Sequence, residues 1–225
     1  MRSRTPSDLN GFCKTCLFKE EWCLCEQLPT IHTTLHFVIV RHTREVLKTS
    51  NTGRIAALAL DNCSLIDFGV KDKPYDPTPL LHDDTWLLFP DNEGLSAPLP
   101  ETPPKRVVLL DATWRQAKRM KRRIKEVHHM PRFGIPTPNI YPERLRQAPN
   151  NWSLSTIEAI ARTAEFFGEH EAAKQIDGVF ALMVDHFTRQ RGWPTHKLHN
   201  TEELPLRLHT DSRCSYTKCY CQTKP

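Results

Sequence analysis

The stretch "RVVLLDATWRQAKRMKRRIKE", residues 106–126, decides the fold that we expect for this chain. Its first residues are mostly apolar, which predicts a buried strand that ends at Asp111. Apolar residues then recur at steps of three and four, which is typical of one buried helix face: Trp114, Ala117, Met120, Ile124 and Val127. A buried strand followed at once by an amphipathic helix indicates an α/β layer structure.

The same alternation extends along the rest of the chain. Further strands are predicted over 33–40, 62–69 and 85–90, with a helix over 48–60 and two long helices within 153–193, broken at Gly168. We therefore predict an α/β fold with a mainly parallel sheet flanked by helices. Ligands of such sheets bind beyond the carboxyl ends of the strands, where Asp111 and Pro90 are expected.

A chain of 225 residues suits one domain with small appendages. We divide it into a Cys-rich segment over 1–30, a main domain over 31–195 and a peripheral tail over 196–225. No apolar run approaches the ~20 residues of a membrane span, and no apolar segment follows the basic start. These patterns predict no membrane contact, a cytoplasmic location and no obligate protein partner.

The four cysteines near the start form two close pairs, CxxC at Cys13 and Cys16 and CxC at Cys23 and Cys25. Four thiolates from two such pairs can surround a tetrahedral zinc ion. Zinc would stabilise a segment that has too few apolar residues for a core of its own. We predict a structural zinc module, with an iron–sulfur cluster as the alternative.

A second cysteine set lies in the tail, at Cys214, Cys219 and Cys221. It offers three ligands, and His209 is a candidate for the fourth. Two interpretations stay open for it, a second zinc site and an unstructured Cys-containing tail.

The basic run from Arg115 to Lys125 holds seven Lys or Arg and no acid. Like charges so close on one helix repel each other, and a phosphate backbone would relieve that repulsion through counterion release. The pattern favours a nucleic-acid contact over a solvated helix face, and single-stranded loops of RNA over duplex DNA. The side chains expected to contact RNA are Arg115, Lys118, Arg119, Arg122, Arg123 and Arg146.

Four stretches, in order along the chain, resemble a known family. The N-terminal Cys cluster, "KTSNTGRIA" (48–56), "LLDATW" (109–114) and "ERLRQAPNNWSLSTIEAIA" (143–161) are similar to the Cys cluster, the SNTGR segment, the DxTW motif and the LRxxP…LSTxEA stretch of the DTW-domain family. The C-terminal tail has no counterpart among these motifs. The resemblance implies a SPOUT-like fold with a trefoil knot and a tRNA-uridine aminocarboxypropyltransferase activity.

Enzymes of this kind move the 3-amino-3-carboxypropyl group of S-adenosylmethionine to N3 of a uridine in tRNA, and the variable loop is the expected position. The DxTW motif places Asp111, Thr113 and Trp114 in the expected catalytic set. Because N3 must lose a proton to attack, Asp111 can accept that proton or orient the base and the sulfonium. Asp111 can also serve as an ordinary acid at a helix start, and Thr113 can cap that helix.

The S-adenosylmethionine site is expected at the starts of two helices and the ends of two strands. A helix start and an Arg suit the carboxylate of this co-substrate. The residues expected to bind it are Ser50, Asn51, Thr52, Gly53, Arg54, Phe89, Pro90, Leu110, Leu154, Ser155 and Thr156. Ser155 and Glu158 also have the spacing of a capping box, which can account for that helix start without any ligand.

Two other functions remain open at this point. The first is a SPOUT-like RNA methyltransferase, which would use the same pocket but transfer a different carbon of the co-substrate. The second is a non-catalytic, zinc-containing RNA-binding protein, which would bind RNA without affinity for S-adenosylmethionine.

Overall fold

The structure, a computed structural model, describes residues 5–89, 101–135 and 154–192. Strands and helices alternate along these residues, which confirms the predicted α/β class. The strands are β1 (His36–His42), β2 (Cys63–Phe68), β3 (Thr85–Leu88), β4 (Arg106–Asp111) and β5 (Arg132–Phe133). The α-helices are α1 (Thr52–Ala59), α2 (Trp114–Arg123), α3 (Thr156–Phe166) and α4 (His170–Gln190).

The strands form one sheet in the order β2-β1-β4-β3-β5, and every pairing is parallel. From β1 the chain adds β2 on one side and places β3, β4 and β5 on the other, so the order reverses between β1 and β4. In parallel sheets a crevice for ligands opens at such a reversal, beyond the strand ends. Asp111, the last residue of β4, lies at this point and pairs in register with Arg41 of β1.

Helices cover both faces of the sheet because successive side chains of a strand point to opposite sides. Phe37 and Ile39 of β1 share a buried core with α1, α3 and α4. Val38 and Val40, on the opposite face, pack in a second core with α2. The helices thus form two layers around the sheet, and α1 and α2 lie on opposite faces.

The N-terminal segment packs on the same core as α4. Phe18 and Leu24 are fully buried in that cluster. The ring of His186 lies 6.3 Å from that of Phe18, and its Nδ1 is 2.9 Å from the carbonyl oxygen of Trp22. The predicted boundary at residue 30 stays a prediction, but the segment before it is joined to the main domain by apolar and polar contacts.

The predicted apolar face of α2 is buried, although the helix is shorter than its pattern. Ala117 and Met120 lie in the helix, which ends at Arg123. Ile124 is extended, and Val127 lies in a 3-10 turn, yet both are buried in the same core. The apolar face continues beyond the end of α2 because its residues are spaced for burial in the core, and this burial does not require helical hydrogen bonds at every position.

The break between the last two helices falls at the predicted glycine. Gly168 has φ +88°, a conformation that residues with a side chain rarely adopt. Helix α3 ends at Phe166 and α4 begins at His170.

Some predictions fall outside the described residues. These are Pro90, Arg146 and the tail 196–225 with Cys214, Cys219, Cys221 and His209. The SPOUT-like assignment and the trefoil knot stay predictions, since residues 136–153, between β5 and α3, are also outside. None of the helices within the described ranges combines the length and the apolar character that crossing a membrane requires.

Candidate active site and metal centre

The carboxylate of Asp111 joins three elements at the end of β4. Its Oδ2 accepts a hydrogen bond of 2.5 Å from Nδ2 of Asn51, and its Oδ1 accepts one of 2.7 Å from the hydroxyl of Thr156. Asp111 is only 6% exposed. A buried carboxylate is costly unless it is hydrogen-bonded, so these donors are needed to keep it at this position. The starts of α1 and α3 are thereby attached to the end of β4.

Gly53 permits this close approach of α1. A Cβ atom at this position would lie 2.8 Å from Oδ2 of Asp111 and 3.3 Å from Cγ2 of Ile39. Asn51 caps the same helix, because its Oδ1 accepts a hydrogen bond of 2.8 Å from the backbone N–H of Arg54. Asn51 therefore caps α1 and also binds the carboxylate of Asp111, and Gly53 leaves room for that carboxylate beside the helix.

Thr113, and not Asp111, lies at the N-cap of α2. Its hydroxyl and its backbone N–H lie 2.7 and 3.0 Å from Oε1 of Gln116, in a capping box. This is the arrangement that leaves Asp111 available for its contacts with α1 and α3. The predicted capping box at the start of α3 is also present, between Ser155 and Glu158.

A cavity of about 140 Å³ opens beside Asp111, between the ends of β3 and β4 and the starts of α2 and α3. Six of the residues predicted for the site line it: Phe89, Leu110, Trp114, Leu154, Ser155 and Thr156. They come from three separate parts of the sequence, and the fold brings them to one place. Most of the lining is apolar, and the Ser155 and Thr156 side chains supply hydroxyl groups.

An aromatic pair forms one wall of this cavity. The rings of Phe89 and Trp114 meet edge to face with centroids 6.1 Å apart, a favourable arrangement for two aromatic rings. Nζ of Lys121 lies 4.8 Å from the centroid of Phe89, within the range of a cation–π contact. Lys121 was not among the predicted site residues, and it links the basic helix to the cavity wall.

The fold does not bring residues 50–54 to this cavity. None of these five residues lines it, and neither do the predicted catalytic residues Asp111 and Thr113. Asn51 is connected to the lining only through Asp111, which accepts a hydrogen bond from Thr156. Arg54 points elsewhere: its Nη1 donates to the carbonyl of Lys48 at 3.0 Å, and its Nη2 donates to that of Val46. The predicted role of Arg54 at the co-substrate carboxylate stays a prediction that these contacts do not support.

Sequence reasoning missed about half of the lining. The missed residues are Leu88, Leu109, Ala112, Ala117, Gly134, Ile135 and Ala159. Leu88, Leu109 and Ala112 adjoin predicted positions, and Ala159 lies one helical turn beyond Ser155, so strand ends and helix starts could have indicated them. Gly134 and Ile135 follow the edge strand β5 and carry no local signal, because only the sheet order places β5 beside β3.

The four N-terminal cysteines form one cluster. Their sulfur atoms all lie within 4.8 Å of one another, with Cys13 to Cys25 at 3.7 Å and Cys16 to Cys23 at 3.8 Å. A tetrahedral zinc ion with Zn–S bonds of about 2.3 Å separates its sulfurs by about 3.8 Å. The cluster can therefore hold a metal ion, and its spacing fits zinc.

Two thiols of the cluster differ in acidity. Burial raises the pKa of Cys13, but backbone hydrogen bonds from Cys16 and Thr15 outweigh it and lower the pKa to about 6. Burial raises the pKa of Cys25, and hydrogen bonds with the neighbouring thiols and the repulsion of a charged Cys16 raise it further. A bound cation would remove this repulsion, as it does in metal–thiolate sites.

The basic residues predicted for RNA binding lie on the outside of α2. Arg115, Lys118, Arg119, Arg122 and Arg123 are all exposed. The buried face of the same helix holds the apolar residues, so the charges form one solvent-facing surface. We call these five residues the α2 basic surface.

Comparison with known proteins identifies a family and a relative of this chain. The family model of the DTW domain matches residues 10–188. A curated protein of Macaca fascicularis named tRNA-uridine aminocarboxypropyltransferase 2 is 28% identical over 167 residues, which are 69% of this chain and 56% of that protein. The chain thus spans little more than half the length of this relative. No solved structure matches the present chain.

The matched region contains both the cysteine cluster and the residues around Asp111. It covers well over half of the chain, and the two motifs that meet at the cavity, "LLDATW" and "LSTIEA", both lie in it. This chain belongs to the DTW domain family.

Proposed function

We propose that this chain is a tRNA-uridine aminocarboxypropyltransferase, which uses S-adenosylmethionine to modify N3 of a uridine in tRNA. One observation carries the proposal: Asp111 of the "LLDATW" stretch and Thr156 of the "LSTIEA" stretch meet at 2.7 Å beside a partly apolar cavity. Two separate parts of a family domain that converge on one cavity are typical of a ligand site. The name of the 28% identical relative supports the same class of reaction.

The cavity suits the adenosine part of such a co-substrate. Its walls are mainly apolar, with the edge-to-face rings of Phe89 and Trp114 on one side. The hydroxyl and backbone groups at Ser155 and Thr156 supply polar contacts at the start of α3, where helix N–H groups favour anionic or hydrogen-bond-accepting groups. A site of this kind, apolar with a few directed polar groups, is typical of small-molecule binding.

In the proposed reaction N3 of the uridine loses a proton, and a carbon–sulfur bond of the co-substrate is replaced by a carbon–nitrogen bond. N3 of the uridine gives up its proton to solvent water and forms a bond to the γ-carbon of the aminocarboxypropyl group. The bond from that carbon to sulfur breaks, and the positively charged sulfur leaves as the neutral thioether methylthioadenosine. The bound co-substrate supplies the electrophilic carbon, and the protein must aim the nucleophile at this carbon and away from the methyl group.

The contacts of Asp111 support the orienting role over the role of a proton acceptor. Both carboxylate oxygens already accept hydrogen bonds, from Asn51 and Thr156, and the residue is buried. A carboxylate held in this way is preorganised, and it holds the starts of α1 and α3 at the edge of the site. We therefore assign Asp111 as a positioning residue whose negative charge also favours a nearby sulfonium.

The partner and metal assignments complete the proposal. The α2 basic surface would hold the phosphate backbone of tRNA, and Arg146 is proposed to add a further phosphate contact. The cysteine cluster would hold a structural zinc ion, which its sulfur spacing fits. The variable loop as the site of modification, and the cytoplasmic location, stay predictions.

The decisive experiment uses S-adenosylmethionine with different isotopic labels on its methyl and aminocarboxypropyl carbons. The purified protein is incubated with unmodified tRNA, and the digested tRNA is analysed for labelled nucleosides. Aminocarboxypropyl label on uridine, without methyl label, is the expected result. Methyl label would instead identify a methyltransferase. Bound tRNA without either label would identify a binding protein.

A further inference from the structure

A second cavity, of about 450 Å³, lies between the N-terminal segment, α1 and the β2 edge of the sheet. It is separate from the cavity beside Asp111, and no residue lines both. Its described lining includes three cations, Lys14, Arg41 and Arg54, and no acid. Three positive charges around one cavity favour an anionic ligand.

Arg41 is one of two buried cations of this cavity, with only 6% of its surface exposed. Its Nε donates a hydrogen bond of 2.7 Å to Oδ1 of Asp67. Its Nη1 is buried and has no hydrogen-bond acceptor within the part of the chain that the structure describes. Unsatisfied buried donors are rare in folded proteins, because removing the group from water is costly. Arg41 therefore keeps hydrogen-bond donors that Asp67 does not use.

Arg54 adds a second guanidinium to the same cavity. Burial and, to a smaller extent, the nearby positive charge of Arg41 lower its pKa to about 10, although Asp111 and Asp67 oppose this effect. Two guanidinium groups held in one partly buried place repel each other. An anion between them would offset that repulsion.

The neighbouring cysteine cluster does not supply the missing contact. Cys16 acts on Arg54 electrostatically, but Nη1 of Arg41 has no sulfur within hydrogen-bond distance among the described residues. The cavity is also open to solvent, because Lys14 is exposed and Leu58 keeps 38% of its surface accessible at its rim. A large ligand can therefore reach the cavity from outside.

We propose that this cavity is a second RNA contact, in which Arg41 and Lys14 bind one backbone phosphate of the tRNA substrate. The inference rests on the proposed function, since it takes tRNA as the substrate. Guanidinium groups bind phosphate oxygens through paired N–H donors. The cavity lies on the α1 face of the sheet and the α2 basic surface on the opposite face, so the RNA contacts the domain on both faces.

The test measures binding of a fluorescently labelled, unmodified tRNA transcript over a range of salt concentrations. Lys14→Glu places an acid at the rim, and we expect it to weaken tRNA binding about tenfold and to lower the salt slope by about one phosphate contact. The matched control is Lys174→Glu, the same charge change at an exposed position of α4, which should stay within about twofold of the wild type. Metal content is measured for each variant, because Lys14 adjoins Cys13.

Two further variants test the cavity without altering the cysteine segment. Leu58→Glu introduces a negative charge at an exposed rim position, and Arg41→Lys keeps the charge but removes the paired N–H donors. Both should weaken tRNA binding while the affinity for S-adenosylmethionine is unchanged. Competition by uridine 5′-monophosphate and by inorganic phosphate identifies the source of the anion.

Weakened tRNA binding in Lys14→Glu and Leu58→Glu, with little competition by the small phosphates, supports the proposal. Unchanged tRNA affinity and salt slope in both variants would overturn it. Strong binding of the monophosphate that these variants abolish, with tRNA binding unaffected, would also overturn it and assign the cavity to a small nucleotide. Transfer at saturating tRNA is assayed separately. If the variants show normal transfer and unchanged tRNA binding, only this inference is overturned. If the wild-type protein shows no transfer, the proposed function is overturned.

Discussion

The side-chain amide of Asn51 donates a hydrogen bond of 2.5 Å to the carboxylate of Asp111, which lies 60 residues further along the chain. Thr156 donates to the other oxygen of the same carboxylate. One buried acid therefore sets the relative positions of the end of β4 and the starts of α1 and α3. The cavity beside it is formed partly by these same ends, so the geometry of the site depends on this contact.

Asp111→Ala should lower the free energy of unfolding by about 2–4 kcal/mol, because it leaves the Asn51 amide and the Thr156 hydroxyl without a partner in a buried site. Asp111→Asn should cost less, since its oxygen can accept from Asn51 and its amide can donate to the Thr156 hydroxyl. Urea denaturation measures both. The control is Asp83→Ala, at an exposed position, which should change stability by less than about 0.5 kcal/mol.

The same pair of variants separates the two roles of Asp111. If the carboxylate positions the site, Asp111→Asn should keep measurable transfer and Asp111→Ala should have none. An Asn variant as stable as the wild type but as inactive as the Ala variant would show that the charge of the carboxylate is required, as a proton acceptor or beside the sulfonium, and that positioning alone is not enough. Single-turnover transfer at saturating tRNA makes this comparison.

Gly53→Ala should destabilise the protein by about 1–3 kcal/mol, because the added Cβ would lie 2.8 Å from Oδ2 of Asp111. The loss should be smaller in an Asp111→Ala background, where the carboxylate is absent. A double-mutant cycle by urea denaturation gives the coupling between the two positions. Equal losses in both backgrounds would contradict the close contact.

Filling the cavity beside Asp111 should have a different effect on ligand binding from filling the second cavity. Ala159→Phe places a ring in the cavity beside Asp111 and should weaken S-adenosylmethionine binding at least about tenfold, a loss of about 1.4 kcal/mol, while tRNA affinity is retained. Ala57→Phe fills the second cavity and should leave the co-substrate affinity unchanged. Calorimetry measures the first affinity and fluorescence anisotropy the second. Reduced co-substrate binding in Ala57→Phe alone would contradict our assignment of the two cavities.

Cys16→Ser should remove one equivalent of metal per chain relative to the wild type, as measured by elemental analysis. Because the metal binds the folded state, its loss should also lower stability, by about 4 kcal/mol if free metal exceeds its dissociation constant about a thousandfold. Cys63→Ala is the control, since Cys63 lies in β2, outside the cluster, where burial raises the pKa of its thiol to about 12. Unchanged metal content in Cys16→Ser would exclude the cluster as the metal site.

Arg119→Glu combined with Arg122→Glu should weaken tRNA binding and lower the salt slope by about two contacts, since both side chains lie on the α2 basic surface. The control combines Lys71→Glu with Lys174→Glu, which makes the same charge change at other exposed positions. Binding is measured by fluorescence anisotropy at several salt concentrations. If both pairs had equal effects, net charge rather than the α2 surface would govern binding.

Local sequence patterns predicted the elements well. The run 106–111 forms β4 as expected, because six residues with an apolar majority fit a buried strand. The cap at Thr113, the capping box at Ser155 and the break at Gly168 are also present as predicted. Each depends on residues no more than four positions apart, so their chemistry can be read directly from the sequence.

Contacts between distant parts of the chain were predicted less well. The sequence placed residues 50–54 and 154–156 in one co-substrate site, but only Thr156, Ser155 and Leu154 line the cavity. Arg54 instead donates to backbone carbonyls of the preceding turn. Side-chain direction at a helix start depends on how the preceding loop folds, and residue type alone does not contain that information.

The sequence by itself determined the alternation of strands and helices, the zinc-like cysteine spacing and the basic face of α2, because each is a short-range pattern of residue types. The tertiary structure alone decided that Asp111 is shared by Asn51 and Thr156, and that a buried Arg41 lines a second cavity. The first depends on the strand order, which places β4 beside β1, and the second on the packing of the N-terminal segment and α1 beside β1 and β2. That order is set by the packing of helices on the two faces of the sheet, an interaction between residues far apart in the chain.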